Sequence, residues 1–88
     1  MFFTAEWCVP CRVMKREVFA DPEVMTEINA SVVPVMIYAG DPGANEAFER
    51  YKVEGTPITI LTDSQGSVID YAGGGIGKAE FLELLNKR

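Results

Sequence analysis

The sequence predicts an α/β fold, a small mixed sheet flanked by helices in the order β-α-β-α-β-β-α. Apolar runs of strand length alternate with segments whose apolar residues recur at helical spacing. Turn and cap chemistry stands at the junctions, as at Asp21-Pro22, Asp41-Pro42-Gly43 and Asp63-Ser64-Gln65-Gly66. The 88 residues, 48% hydrophobic and 24% charged, suit a single globular domain spanning residues 1–88. A chain this short buries only about 60–65% of its unfolded surface, so it depends on efficient packing or a covalent staple.

Met1 to Ala5 is short and apolar and reads as the first strand. Val9 to Phe19 reads as a helix, with Val9, Val13, Val18 and Phe19 toward the core and Arg12, Lys15 and Arg16 outside. Asp21 then supplies a cap and Pro22 the first helical position of a new segment, striped by Val24, Met25 and Ile28. The two segments are either separate helices or one kinked helix. Val32 to Tyr38 is almost continuously apolar, as expected of a strand buried on both faces, although Pro34 disturbs its start. Ala44 to Tyr51 reads as a short helix with Ala47, Phe48 and Tyr51 inward. Ile58 to Thr62 and Ser67 to Ala72 pair as a hairpin around the Asp63–Gly66 turn. Lys78 to Asn86 is the closing helix, with Phe81, Leu84 and Leu85 at i, i+3 and i+4. Met14, Met25 and Met36 read as core fillers.

Composition narrows the chemistry. The net charge of −5 argues against a phosphate backbone as partner, and the only basic cluster is Arg12, Lys15, Arg16. With no histidine, His-based acid–base catalysis, Ser-His or Cys-His pairs and His-ligated metals are excluded. The longest apolar stretch, Val32 to Gly40, is about half of a membrane span, so this segment is expected not to insert. Met1-Phe2-Phe3 has neither the basic region nor the apolar length of a signal peptide. What remains is two cysteines and the carboxylates.

Trp7-Cys8-Val9-Pro10-Cys11 stands where a strand ends and a helix begins. Unpaired N–H groups and the positive end of the helix dipole stabilise a thiolate there, and the thiolate is the attacking species in disulfide exchange. Cys11 lies three residues on, on the same helical face, so the sulfurs can meet. Pro10 suits the first helical turn. These positions make Cys8 the attacking and Cys11 the resolving cysteine, with Arg12 and Lys15 adding modest electrostatic support. Two other uses of the pair stay open: half of a zinc site shared between two subunits, and a purely structural disulfide.

Ala5-Glu6-Trp7-Cys8-Val9-Pro10-Cys11 together with the distant Gly55-Thr56-Pro57 resembles the thioredoxin superfamily across essentially the whole chain. Gly66 in the hairpin and Gly74 before the last helix fit as well. Val18-Phe19-Ala20-Asp21-Pro22-Glu23-Val24 is similar to the C-terminal thioredoxin-like domain of DsbD-type thiol:disulfide interchange proteins. The resemblance implies a thioredoxin-like fold with a cis Thr56-Pro57 bond facing the disulfide and adjoining backbone that pairs with a substrate peptide. It implies that Trp7 shapes the docking surface, against the alternative of a core tryptophan. Thr56, Pro57 and Gly74 are therefore the expected substrate-binding residues, and Trp7, Pro10 and Glu6 the supporting ones.

Two departures stand out. The first β-α unit of full-length family members has no counterpart in these residues, so the expected sheet is four-stranded with its first strand internal, and either the fold is a minimal version or the N-terminus has been cut. Phe2 occupies the place of the buried aspartate that many thioredoxins use to move a proton off the second thiol, and its lysine partner is replaced within Val35-Met36-Ile37-Tyr38. Glu6 is the nearest carboxylate in sequence; it either substitutes through water or is a solvated surface side chain.

Ala72-Gly73-Gly74-Gly75-Ile76-Gly77-Lys78-Ala79 fails the phosphate-loop pattern at both ends and reads as a flexible turn. The expectation is a thiol:disulfide oxidoreductase, leaning to reduction of protein disulfides, with no cofactor beyond the Cys8–Cys11 pair. Its partners would be disulfide-containing proteins and an upstream electron donor, with no nucleic acid and the chain a monomer. Cytoplasm and bacterial periplasm are both compatible. A redox-weak binding module and a metal-bridged dimer are the competing expectations.

Overall fold

The computed structural model describes residues 1–87. The elements follow the sequence's periodicities: β1 (Phe2–Thr4), α1 (Val9–Glu17), α2 (Pro22–Ser31), β2 (Met36–Tyr38), α3 (Ala44–Arg50), β3 (Ile58–Thr62), β4 (Val68–Gly73) and α4 (Lys78–Leu85). The segments around Asp21 are two helices, because Asp21 caps α2 by accepting from the backbone N–H of Glu23 and Val24. Asp63 organises the hairpin turn in the same manner, its Oδ1 accepting from the N–H of Gln65 and Ser67.

The sheet order is β2-β1-β3-β4, with β1 parallel to β2 and antiparallel to β3, and β3 antiparallel to β4. The first strand is therefore internal, and all three of its residues are buried. Alternation divides them between the two faces. Phe2 joins Met14, Val18, Val24, Ile76, Phe81 and Leu85 in the main core, edge-on to Phe19 at 4.7 Å. Phe3 goes to the opposite face and meets Phe48 of α3 at 4.9 Å and Tyr51 at 6.3 Å.

Several expected core positions lie elsewhere. Val9 is 60% exposed and Val13 only half-buried. The inward stripe of α1 is Cys11, Met14 and Val18, and each valine is two residues, about 200° of helix, from Cys11. Of the three methionines only Met14 fills the core, while Met25 and Met36 are exposed. On α2 the inward pair is Val24 and Ile28 at i, i+4, which turns Met25 aside. The Val32–Tyr38 run is not a strand buried on both faces. Only Met36–Tyr38 pairs, as the edge strand β2, and Val33 lies 87% exposed. An apolar run carries no information about how many neighbours a strand has. Beside that edge, Phe2, Phe19, Met25, Ile28, Val35 and Leu85 line an open groove of roughly 810 Å³.

Lys78 at the start of α4 pairs with Asp21 at 3.2 Å and Glu23 at 3.0 Å, joining the N-terminal ends of α4 and α2. Slight burial pushes the Asp21 carboxyl up, but hydrogen bonds from Lys78 and the two amides outweigh it and hold the group below its ordinary value. Lys78 is correspondingly raised, first by Glu23 and then by Asp21.

Candidate redox site

Ala5, Glu6 and Trp7 turn the chain from the end of β1 into α1, and the N–H of Cys8 closes the turn by donating to the Ala5 carbonyl at 3.2 Å. Cys8 is the N-cap of α1 in an extended conformation, and its sulfur accepts the Cys11 N–H at 3.2 Å. A sulfur so placed receives one of the orphan amides of the helix start and sits at the positive end of the dipole. Cys8 and Cys11 form a disulfide with Cα atoms 5.2 Å apart, inside the ordinary range. The two halves differ in access: Cys8 keeps 6% of its surface, Cys11 none. Ala5 and Ala39 pack against the pair.

The rim is apolar and open. Trp7 is 71% exposed, which excludes the core-tryptophan alternative, and Val9 and Pro10 are exposed beside it in sequence. The Thr56-Pro57 bond is cis. The register of β1 and β3, with Phe3 opposite Ile58, brings fully buried Pro57 level with Thr4, the last residue of the strand that leads to Cys8. Gly74 N–H donates to the Pro57 carbonyl at 2.8 Å, with Gly74 at φ +80°, a conformation that favours glycine. At Gly75 a Cβ would meet Pro10 Cβ at 3.5 Å, so this loop closes against the first turn of α1. Pro57 and Gly74, hydrogen-bonded to each other, thus lie at the end of the sheet from which β1 leads to Cys8, and the Gly75 loop meets Pro10 of the first turn of α1.

Glu6 stands apart. It is exposed, and among the described residues no hydrogen bond ties it to either cysteine. Lys15 does not point its charge at the sulfurs either: Nζ donates to Tyr38 Oη at 3.2 Å and lies 4.4 Å from that ring's centroid. Arg12 is exposed. Among the described residues no group of three or more His, Cys, Asp or Glu side chains is placed to hold a metal ion. One residue escaped the sequence reading. Thr4 is fully buried beside this site, and its hydroxyl has no hydrogen-bond partner. Its alternation with Phe3 was the available signal.

The chain matches the family described as "Thioredoxin-like domain" over residues 1–88. It is 34% identical over 88 residues to the thiol:disulfide interchange protein DsbD of Ralstonia nicotianae, covering 97% of this chain and 14% of that protein. With thiol:disulfide interchange protein DsbD 2 of Pseudomonas aeruginosa it shares 32% identity over 65 residues, 73% of this chain and 11% of the relative. The chain therefore spans only a small part of the curated relatives it matches. Among solved structures it superposes on a thioredoxin from Thermus thermophilus with a TM-score of 0.81 at 28% identity, covering 98% of this chain and 68% of that one. The reduced C-terminal domain of Neisseria meningitidis DsbD gives a TM-score of 0.78 at 23% identity, with 98% and 76% covered, a likeness of fold.

Proposed function

Because the chain belongs to the thioredoxin-like domain family, we propose that residues 1–88 act as one domain that exchanges thiols with protein disulfides through Cys8 and Cys11, in the reducing direction. The observation that carries this reading is the unequal pair: an N-cap sulfur that accepts a helix amide, joined to a sulfur with no exposed surface.

In the reaction, the Cys8 thiolate attacks one sulfur of a substrate disulfide, forms a mixed disulfide and expels the other sulfur as a thiolate. Cys11, deprotonated in turn, attacks the Cys8 sulfur. The second substrate sulfur leaves as a thiolate, and the Cys8–Cys11 disulfide closes. The substrate has gained two electrons and the protein has lost two. Water supplies protons to the leaving thiolates and takes the one from Cys11. An upstream dithiol donor then reopens the disulfide by the same steps in reverse. No further cofactor enters, since the sulfurs carry the electrons.

Trp7, Val9 and Pro10 offer the apolar docking rim. The backbone at Thr56-Pro57, beside the end of β1, offers a short edge for the substrate peptide, with Gly74 supporting Pro57 from behind. The test is the reduction potential of the pair, equilibrated against defined thiol buffers. A value near about −270 mV supports a reductase, whereas about −120 to −180 mV points to an oxidant or isomerase. Lack of a reversible two-electron transition would remove the exchange reading. In a protein-disulfide reduction assay Cys8→Ser abolishes turnover, and Cys11→Ser accumulates a mixed disulfide on Cys8.

A further inference from the structure

Alternation along β1 sends Thr4 to the same face as Phe2, one strand step nearer the cysteine end. Its hydroxyl is buried and unpaired while the disulfide is closed. Such a group costs about 1–3 kcal/mol and calls for an explanation.

Its surroundings supply one. On this face Met14 of α1 packs in the cluster that holds Phe2. Thr4 lies two residues beyond Phe2, roughly 6.6 Å along the strand. Cys11 lies three residues before Met14, about 4.5 Å along a helix that returns over the sheet in the opposite sense. Both steps lead toward the cysteine end, which puts Thr4 on the sheet face that α1 covers, at the end where Cys11 stands. Ala5, the residue after Thr4, packs against Cys8 and Cys11. Once the S–S bond opens, the two sulfurs must separate to van der Waals distance. Cys11 has no exposed surface, so its sulfur stays inside the protein as the two part.

We propose that Thr4 is a positioning residue for the buried sulfur: after the disulfide opens, its hydroxyl donates a hydrogen bond to Cys11 Sγ and favours the thiolate that resolves the mixed disulfide. The inference rests on the exchange reaction above and adds no co-reactant. The proton of Cys11 goes to water, Thr4 keeps its own, and the Cys11 thiolate displaces the substrate thiolate from Cys8. The charged groups on the surrounding elements are otherwise placed. Glu6, Arg12, Arg16 and Glu17 are exposed, Lys15 is on Tyr38 of β2, and Lys78 beyond the Gly75–Gly77 loop is paired with Asp21 and Glu23.

The test uses the whole chain and the variants Thr4→Val, which keeps the shape, and Thr4→Ser, which keeps the hydroxyl. Thr59→Val is the control. Thr59 is an equally unpaired buried threonine, but it stands opposite Phe2, one step farther from the cysteines. The ionisation of Cys11 in the reduced protein is followed by NMR of the labelled cysteine β-carbons. Release of a thiol from a preformed Cys8 mixed disulfide gives the resolution rate.

Thr4→Val is expected to move the Cys11 midpoint upward and slow resolution about tenfold at neutral pH. Thr4→Ser and Thr59→Val should stay near wild type, and the oxidised Thr4→Val protein should melt no lower than wild type. Wild-type ionisation and resolution in Thr4→Val, or an equal change in Thr59→Val, would overturn the inference. The midpoint is read without substrate, so a wild-type protein that failed to cycle would remove the exchange reading while the Thr4 comparison still stood.

Discussion

Trp7 offers the sharpest test of the docking rim, because a large aromatic side chain left 71% exposed contributes little to folding. A tryptophan presents on the order of 250 Å² of surface, so about 180 Å² of this one faces solvent. If a docked substrate covers half of that, about 90 Å² leaves water, worth about 2 kcal/mol at roughly 25 cal/mol per Å². Trp7→Ala should therefore lower kcat/KM for a protein disulfide about thirtyfold. The unfolding free energy should change by no more than about 0.5 kcal/mol, as for other exposed positions. The assay compares reduction of a protein disulfide with reduction of hydroxyethyl disulfide, which is too small to span the rim. The small substrate should be reduced at nearly the wild-type rate. A protein-disulfide rate within twofold of wild type would refute the reasoning, as would an equal loss on both substrates, which would place Trp7 in the chemistry of the sulfurs instead.

Phe3 is fully buried between α3 and the sheet, and Phe3→Ala should cost about 3–5 kcal/mol in urea unfolding, a large share of the roughly 4–13 kcal/mol expected for a domain of this size. A loss under about 1.5 kcal/mol would mean that α3 holds the sheet by other contacts. The Asp21 carboxyl is held below its ordinary value, so its stabilisation is complete above the ordinary carboxylate range and is lost as pH falls through the depressed value. Asp21→Asn keeps a capping oxygen but removes the charge, so its urea midpoint should lie below wild type at pH 7, with the gap closing in acid; a gap that persisted there would assign the effect to the cap alone.

Sequence legibility followed how local the determining physics is. The caps at Asp21 and Asp63, the Cys8–Cys11 spacing and the Phe81, Leu84, Leu85 stripe are decided within a few residues, and they stand where the sequence placed them. The Val32–Tyr38 run has the composition of a doubly buried strand but is not one, because burial of a strand depends on its neighbours, and β2 has one. Val9 faces outward because the inward phase of α1 is fixed by Cys11, whose burial a hydropathy pattern does not announce. The cis Thr56-Pro57 bond followed from family resemblance, since base rates alone favour trans. Thr4 went unnoticed because the meaning of a buried hydroxyl depends on what lies across the helix–sheet interface.

The same placement bears on how a proton leaves Cys11. The chain has no histidine, Phe2 is an apolar residue of the main core, and Glu6 faces solvent. The hydroxyls of Thr4 and Thr59 do not titrate near neutrality and cannot act as a resident base. Among the described residues no side-chain carboxylate is hydrogen-bonded to Cys11, so its deprotonation is expected to run through water and hydroxide. The resolution rate should rise about tenfold per pH unit until Cys11 itself is ionised, with no earlier inflection in the carboxylate range, because only the thiolate attacks. Glu6→Gln should superimpose on the wild-type profile. A plateau or shoulder at acidic pH that disappeared in Glu6→Gln would show that this glutamate reaches the sulfur through water during the reaction, and solvent would no longer be the base.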